Sequence, residues 1–510
     1  MAIVETMEAA PSGRRRLRLR SPASQDLLGE IEVAGAADVR RAVERARKAQ
    51  PGWADLGFDE RGRLLRRAVQ VLLARQDEIT DRIVADTGKP RIEALAGELL
   101  AACDALSFYA KRAKRILADR RVPVHLVRNK KLRITYRPLG VVGVITPWNF
   151  PFLLSLNPTA QALIAGNAVI LKPSEVTPFA GALVVEVLRE AGVPEDVMLL
   201  VQGDGETGAA LVESEVDKIS FTGSVVTGRL VGEACGRLLK PCTLELGGKD
   251  PMIVCADADL ERAANGAVWG AFVNAGQVCM STERVYVVDE VADDFTEKVV
   301  AKTAALRQGG SGEFEIGPMI WPRQLEIVEQ HVDEAARQGA IVRTGGRRNP
   351  DGGGLCYEPT VLTDVHQDMR IMREETFGPV LPIMRVPSEE EAVRLANDSR
   401  YGLSASIWTR NKHRGLELAR SVDSGSVVVN DCMVTYGVTE SPFGGVKDSG
   451  IGRVNGEVGL RSFCQTQSIV IDRFGGEREP MWYPYSSSKL RWVRRFLRFV
   501  WGTPLGRFLS

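Results

Sequence analysis

From Gly140 onward the chain alternates short apolar runs with amphipathic stretches, and this alternation limits its fold more than any other feature. VVGVIT, AVILK, VMLLV, KISF and MIVC are runs of strand length. Between them lie segments such as TPFAGALVVEVLREAG, with apolar positions at helical spacing. Strands covered on both faces read as continuous apolar runs, so the alternation predicts a parallel α/β sheet. A second alternating region, about residues 284–446, contains RVYVV, PTVLT, LPIMRV, SASIW and GSVVVN. Two α/β units fit 510 residues, a length for which about three domains is the prior. Residues 36–118 read as mostly helical, punctuated by Gly88 and Pro90. Residues 121–137 read as two strands with a basic turn at Asn129, Lys130 and Lys131. RLRLR, within the five arginines from Arg14 to Arg20, alternates like an edge strand with its charges on one face. QSIVIDRF reads as a late strand and GGEREP as a linker.

Charge and cysteine usage narrow the function. Lys+Arg is 66 against Asp+Glu 65, a net charge of +1, so nothing global attracts nucleic acid. Eight cysteines without a CxxC pair point to a reduced, cytoplasmic chain rather than a disulfide scaffold. The four histidines are scattered and form no HExxH, which argues against a zinc site and against a His-activated nucleophile, so no metal is expected. No secretory h-region follows the N-terminus, and no run is long and apolar enough to span a bilayer. The C-terminus stands apart. On a helix, KLRWVRRFLRFVW (489–501) groups Arg491, Arg494, Arg495 and Arg498 within an arc of roughly 100°, with Trp, Phe, Leu and Val around the rest. That pattern suits peripheral contact with a membrane at the cytoplasmic face, and equally a helix docked on the protein or on a subunit.

Several residues carry chemistry. Gly203–Gly208 is a literal GxGxxG, but Asp204 and Glu206 would face a pyrophosphate with two negative charges, so it reads better as a tight strand-to-helix turn. KISFTGSVVTG offers a second phosphate loop: Gly223 allows close backbone approach, and Ser224 can cap the following helix. Cys279, in NAGQVCMS, sits among small and polar residues, where a sulfur can face a pocket; Cys255, in MIVCADA, reads as structural. Glu245, in LELGGKDP, lies between two leucines. Burial would raise its pKa toward that of a general base, the alternative being a strand-end Glu paired with a lysine. Asn149 is bracketed by Pro147 and Pro151 and can hold an amide toward an oxyanion, or serve only as a turn residue.

PWNFP, KPSE, FTGS, LELGG, NAGQVC, EETFGPV and SPFGGVKDSGIGR occur in this order. Over about residues 15–473 the chain resembles the NAD(P)-dependent aldehyde dehydrogenase superfamily. The resemblance implies that Cys279 is the nucleophile that forms a thiohemiacetal and then a thioester, with Asn149 and its own N–H as oxyanion donors. Glu245 would activate the hydrolytic water. The implied cofactor contacts are Thr146, Trp148, Lys172, Ser174, Glu175, Gly223, Ser224, Gly228, Leu246, Glu375 and Phe377. Glu175 would repel a 2′-phosphate, so NAD is favoured, with NADP as the alternative.

The implied architecture is a Rossmann-like cofactor domain (1–120 and 138–247), an α/β catalytic domain (248–446) and a β-hairpin oligomerisation element (121–137 with 447–474). A strand near 461–473 would pair across the boundary of a homodimer or homotetramer, leaving 475–510 as a basic tail. Succinate-semialdehyde relatives often carry an arginine six positions before the cysteine. Here that position is Val273, preceded by Phe272; with Phe150 and Leu154 these predict an apolar tunnel for an aliphatic or aromatic aldehyde. A succinate-semialdehyde-type enzyme is the alternative. A silent family member would have lost the cysteine.

Overall fold

The computed structural model describes residues 3–7, 14–309, 312–352 and 354–504. Parts of three expected segments lie outside the described residues: 1, 2 and 8–13 of the cofactor domain, 310, 311 and 353 of the catalytic domain, and 505–510 of the tail. The architecture is mixed α/β with two parallel-sheet units, as the alternation requires.

The first sheet has six strands in the order Gly450–Ile451, Cys242–Glu245, Lys218–Thr222, Val141–Ile145, Ala168–Lys172, Met198–Leu200. All neighbours run parallel except Gly450–Ile451, which pairs antiparallel with Leu244 and Glu245. Val141–Ile145 and Ala168–Lys172 are buried at every position, which is why they read as unbroken apolar runs. The helix Leu153–Ile164 is buried along its whole length. The helix Ala36–Asp55 anchors through Trp53, whose indole N–H donates to the Leu163 carbonyl at 2.9 Å.

The second sheet has seven strands: Ile341–Thr344, Thr360–Thr363, Val380–Val386, Thr282–Val288, Asp250–Val254, Ser404–Trp408 and Ser426–Val429. Only the first is antiparallel to its neighbour. MIVC, which follows KISF in sequence, belongs to this sheet as the strand Asp250–Val254, between Thr282–Val288 and Ser404–Trp408.

Two small antiparallel sheets complete the fold, and each corrects an expectation. RLRLR is the middle strand of three, not an edge strand. Leu17 and Leu19 are buried, while Arg16 and Arg18 reach Glu30 and Glu32 on the adjoining strand Leu27–Glu32. Alternation reports a half-buried strand, but it does not tell an edge from a centre. In the other sheet, Arg120–Val122 pairs with Lys130–Pro138, which pairs with Cys464–Asp472. The connection spans 123–129, so Lys130 and Lys131 belong to the strand rather than to the turn. Lys130 is drawn there by Asp472, directly opposite in register, at 2.8 Å.

Replacing Trp53 by Ala removes a buried ring and its hydrogen bond. It should cost about 3–5 kcal/mol in stability, read as a lowered urea midpoint of the parent fold.

Candidate active site

The expected cofactor residues gather at the carboxyl ends of the first sheet. Thr146 follows Val141–Ile145; Lys172 ends Ala168–Lys172, with Ser174 and Glu175 just beyond; Gly223 and Ser224 follow Lys218–Thr222; Leu246 follows Cys242–Glu245. The strand order reverses between Val141–Ile145 and Lys218–Thr222, and ligands of such sheets bind in the crevice at that reversal. Ser224 accepts from the Thr227 N–H at 3.3 Å and caps Val225–Arg237. Gly228 packs so closely on Leu246 that a Cβ would lie 2.4 Å from its Cδ2. The Gly223 N–H donates to the Glu245 carbonyl at 3.0 Å, which ties this loop to the acid. Lys172 and Glu175 form an ion pair at 3.2 Å. The GxGxxG is a capped turn: Asp204 accepts from the Glu206 N–H, and Arg15 bridges Asp204 at 2.7 Å and Glu206 at 3.1 Å.

The cysteine loop is set by its backbone. The helix Leu260–Phe272 ends, and Asn274, Ala275 and Gly276 take left-handed φ values of 53°, 54° and 71°. A Cβ on Gly276 would lie 2.2 Å from the Gly378 carbonyl oxygen, so only glycine fits. Gln277 is fully buried; its amide donates to the Asn274 carbonyl at 2.8 Å and accepts from the Ile320 N–H at 2.8 Å. Cys279 follows directly. A Cβ on Gly248 would lie 2.5 Å from the Cys279 carbonyl oxygen, so the small residues of LELGG allow the two loops to meet.

Asn149 reaches the same loop. Its amide donates to the Gln277 carbonyl at 2.9 Å, which orients the group and leaves a second N–H. Its backbone carbonyl accepts from buried Lys89 at 2.8 Å and from Asn274 at 3.1 Å. Lys89 pairs with buried Glu98 at 2.8 Å, and Glu98 also accepts from the Phe152 N–H at 2.8 Å. Glu98 lies on the π-helical turn Leu95–Leu100. A second buried pair, Lys249–Glu283 at 2.6 Å, holds the other side. Glu283 accepts from the N–H groups of Thr376 at 2.7 Å and Phe377 at 2.9 Å, flanking Glu375. Glu375 accepts from the Gly248 N–H at 3.1 Å, and Trp148 stands edge-on to Phe377 with centroids 5.3 Å apart. The four ion-pair residues escaped the sequence reading. The charged residues in TGKP and LGGKDP were the available signal, but their partners stand 9 and 34 residues away.

Electrostatically the centre is acidic and dry. Burial raises Glu245 from its ordinary 4.5 to about 8, and the neighbouring Cys279 thiol draws it partly back. Among the described residues neither Glu245 oxygen has a hydrogen-bond partner of good geometry, and no lysine pairs with it. Burial, reinforced by Glu245, Asp250 and Glu375, holds the Cys279 thiol well above its usual range. Burial and Glu283 likewise raise Glu375 to about 8.

A cavity of about 180 Å³ opens beside the thiol. Cys279, Asn149, Phe150, Leu154 and Val273 line it, as the sequence led us to expect. Phe272 does not: it is 1% exposed and belongs to the core of the second sheet. Trp269, one helical turn before Val273, takes the wall position instead, with Met280, Met433 and Tyr436. The whole lining carries no charged side chain.

Because Glu245 titrates higher folded than unfolded, the native state keeps a proton that the unfolded chain releases between pH ~4.5 and about 8. Stability contributed by this group is therefore lost as pH rises through that window. Glu245→Gln should be more stable than the parent by on the order of 1–3 kcal/mol near pH ~9, the gap closing toward pH ~4.5, in urea titrations run across pH.

The sequence model of the aldehyde dehydrogenase family matches residues 9–469. A 4,4'-diapolycopene aldehyde oxidase of Methylomonas sp is 42% identical over 94% of this chain and 91% of its own length. A putative succinate-semialdehyde dehydrogenase [NADP(+)] of Mycolicibacterium smegmatis is 41% identical over 88% of this chain and 87% of its own. Among solved structures, the NAD+ complex of a Bacillus cereus aldehyde dehydrogenase superposes with a TM-score of 0.85 at 34% identity, covering 92% of this chain and 93% of that one. The chain belongs to the aldehyde dehydrogenase family.

Proposed function

We propose that the protein oxidises an apolar aldehyde to its carboxylic acid with NAD(P)+, and that Cys279 carries the acyl group between the two half-reactions. The observation that carries this reading is the joint placement of Cys279 and Asn149 on one apolar cavity, with the unpartnered Glu245 carboxyl beside the thiol. The Cys279 thiol gives its proton to the Glu245 carboxylate beside it, which releases it to solvent, and the sulfur attacks the aldehyde carbon. As the C–S bond forms, the π electrons move to oxygen, which accepts from the free Asn149 N–H and the Cys279 backbone N–H. The chemistry that bound NAD(P)+ would supply is acceptance of the hydride from the aldehyde carbon, leaving the acyl group on the Cys279 sulfur as a thioester. Glu245 as carboxylate then takes a proton from water, whose oxygen attacks the thioester carbon; the C–S bond breaks and the sulfur leaves. A base near pH 8 is weak at neutrality yet present in useful fraction, since burial has moved it toward working pH.

The residues present fit the dinucleotide. Ser224 caps one N–H of its helix and leaves the start of Val225–Arg237 to a pyrophosphate, and Gly228 lets Leu246 close beneath it. Lys172 and Glu175 would take the adenine ribose, and Glu375 and Phe377 the nicotinamide ribose, with Thr146, Trp148 and Ser174 beside them. Glu175 would oppose a 2′-phosphate, so we favour NAD, although Lys172 at 3.2 Å tempers its charge. The names of relatives point both ways, to NADP(+) and to NAD+.

For the aldehyde, walls without a cation leave a substrate carboxylate unpaired and welcome an apolar chain. A polyene aldehyde, the class in the Methylomonas relative's name, would meet complementary walls. A semialdehyde, the class in the Mycolicibacterium name, would not. We assign the exposed outer edge of Cys464–Asp472 to pairing within a homodimer or homotetramer. We place the enzyme in the cytoplasm, where its eight free thiols persist.

A chain-length panel of aldehydes with each cofactor, followed by reduced-nicotinamide absorbance, tests the reading. Medium-chain or aromatic aldehydes should exceed succinate semialdehyde in kcat/KM by about tenfold or more, and Cys279→Ala should abolish turnover. Preference for the semialdehyde would contradict the apolar assignment.

A further inference from the structure

The family match ends at residue 469, and the chain then builds something that the aldehyde chemistry does not use. The segment after Cys464–Asp472 leads through Phe474, Met481, Trp482, Tyr483 and Tyr485 into the helix Ser487–Gly502. Those five side chains are all exposed, Phe474 at 76% and Tyr483 at 74%. Lys489 ties the two parts together by donating to the Trp482 carbonyl at 2.6 Å, and Ser486 caps the helix by accepting from the Lys489 N–H at 3.2 Å.

The helix shows which of its sides is free. Val500 is buried, and Val493 and Phe496 are half-buried, so the line between them is already covered. Both shoulders remain open: Trp492 and Phe499 on one side, Leu490, Leu497 and Trp501 on the other, each about half exposed. Between the shoulders runs the stripe of Arg491, Arg494, Arg495 and Arg498. None of these four has an ion-pair partner among the described residues. Elsewhere arginines are tied up, as Arg75 is by Glu78, Glu186 and Glu190. Residues 480–504 contain five cations and no acid, on a chain whose net charge is only +1. Cation and aromatic are thus segregated onto one exposed surface.

We propose that residues 474–501 dock on the surface of an anionic lipid bilayer, with the helix lying in the plane of the interface. Unpaired arginines reach lipid phosphates while their stems stay in the apolar layer, and Trp and Tyr rings suit the boundary between headgroup and acyl chain. The helix lies on the membrane and does not cross it: it has 16 residues, and no described helix is long and apolar enough to span. A second copy of the chain would satisfy the apolar shoulders, but it would have to bring acids to four arginines on a surface that lipid phosphate matches by its own charge. The inference goes beyond the choice of aldehyde and does not depend on it.

The test is co-sedimentation of the full chain with extruded vesicles, either phosphatidylcholine alone or phosphatidylcholine mixed with phosphatidylglycerol. The protein should pellet with the anionic vesicles, stay in solution with the neutral ones, and be released by raised salt. Joint replacement Arg491→Glu, Arg494→Glu, Arg495→Glu and Arg498→Glu should weaken partitioning at least about tenfold, and so should Trp492→Ser with Trp501→Ser. The same four arginines replaced by Lys should retain binding, which separates lost charge from a lost helix. Equal partitioning onto both vesicle types, or undiminished binding by the Glu variant, would overturn the proposal. So would a change in oligomeric mass on Arg→Glu replacement without any vesicle binding, because the face would then belong to a copy of the chain.

Discussion

A buried carboxyl with no hydrogen-bond partner of good geometry among the described residues is the constraint on which the site turns, and the residues around it hold it beside a thiol. Glu245 ends a central strand of the first sheet; Cys279 sits on a loop that precedes a strand of the second. Their meeting requires two backbones to touch, which Gly248 permits by having no Cβ, while Gly276 lets the cysteine loop turn against Gly378. Desolvation then acts on both groups. It raises the Glu245 pKa to about 8, toward that of a general base, and it raises the Cys279 thiol well above its usual range.

Two buried ion pairs brace the centre from opposite sides. Lys89–Glu98 grips the Asn149 loop through a carbonyl and the Phe152 N–H; Lys249–Glu283 grips the loop before the strand Val380–Val386 through the N–H groups of Thr376 and Phe377. Buried pairs contribute little net stability unless their remaining hydrogen-bond capacity is met by fixed partners, and here backbone groups meet it. Their effect is positional. The oxyanion amide and the Glu375 carboxyl are each set by a charge that cannot relax into solvent. The same logic explains why the cavity beyond them can be wholly uncharged: orientation comes from the rim, and shape from Trp269, Phe150 and the π-helical turn.

Much of this was legible in the residues. Continuous apolar runs marked the strands of both large sheets except the antiparallel edges and the parallel strand Cys242–Glu245, whose Cys, Thr and Glu break the apolar pattern. Cys279 stood out because small and polar residues surround it where a structural cysteine sits in an apolar run, whereas for Glu245 the residues left a general base and a strand-end Glu paired with a lysine both open. What escaped was pairing at a distance. Nothing local tells Lys89 from a surface lysine, and RLRLR could not announce the glutamates that flank it. Phe272 was misplaced because a single residue at a helix end decides between core and cavity: Val273 leaves the helix toward the thiol, whereas Phe272 turns back into the second sheet.

The central claim, that Cys279 holds the acyl group and Glu245 releases it, is tested most directly by intact-protein mass spectrometry of Glu245→Gln after mixing with aldehyde and NAD(P)+. The account predicts one persistent acyl adduct per chain, mapping to Cys279, together with a single burst of reduced cofactor. Continued turnover at the parent rate without an adduct, or an adduct on another cysteine, would contradict it.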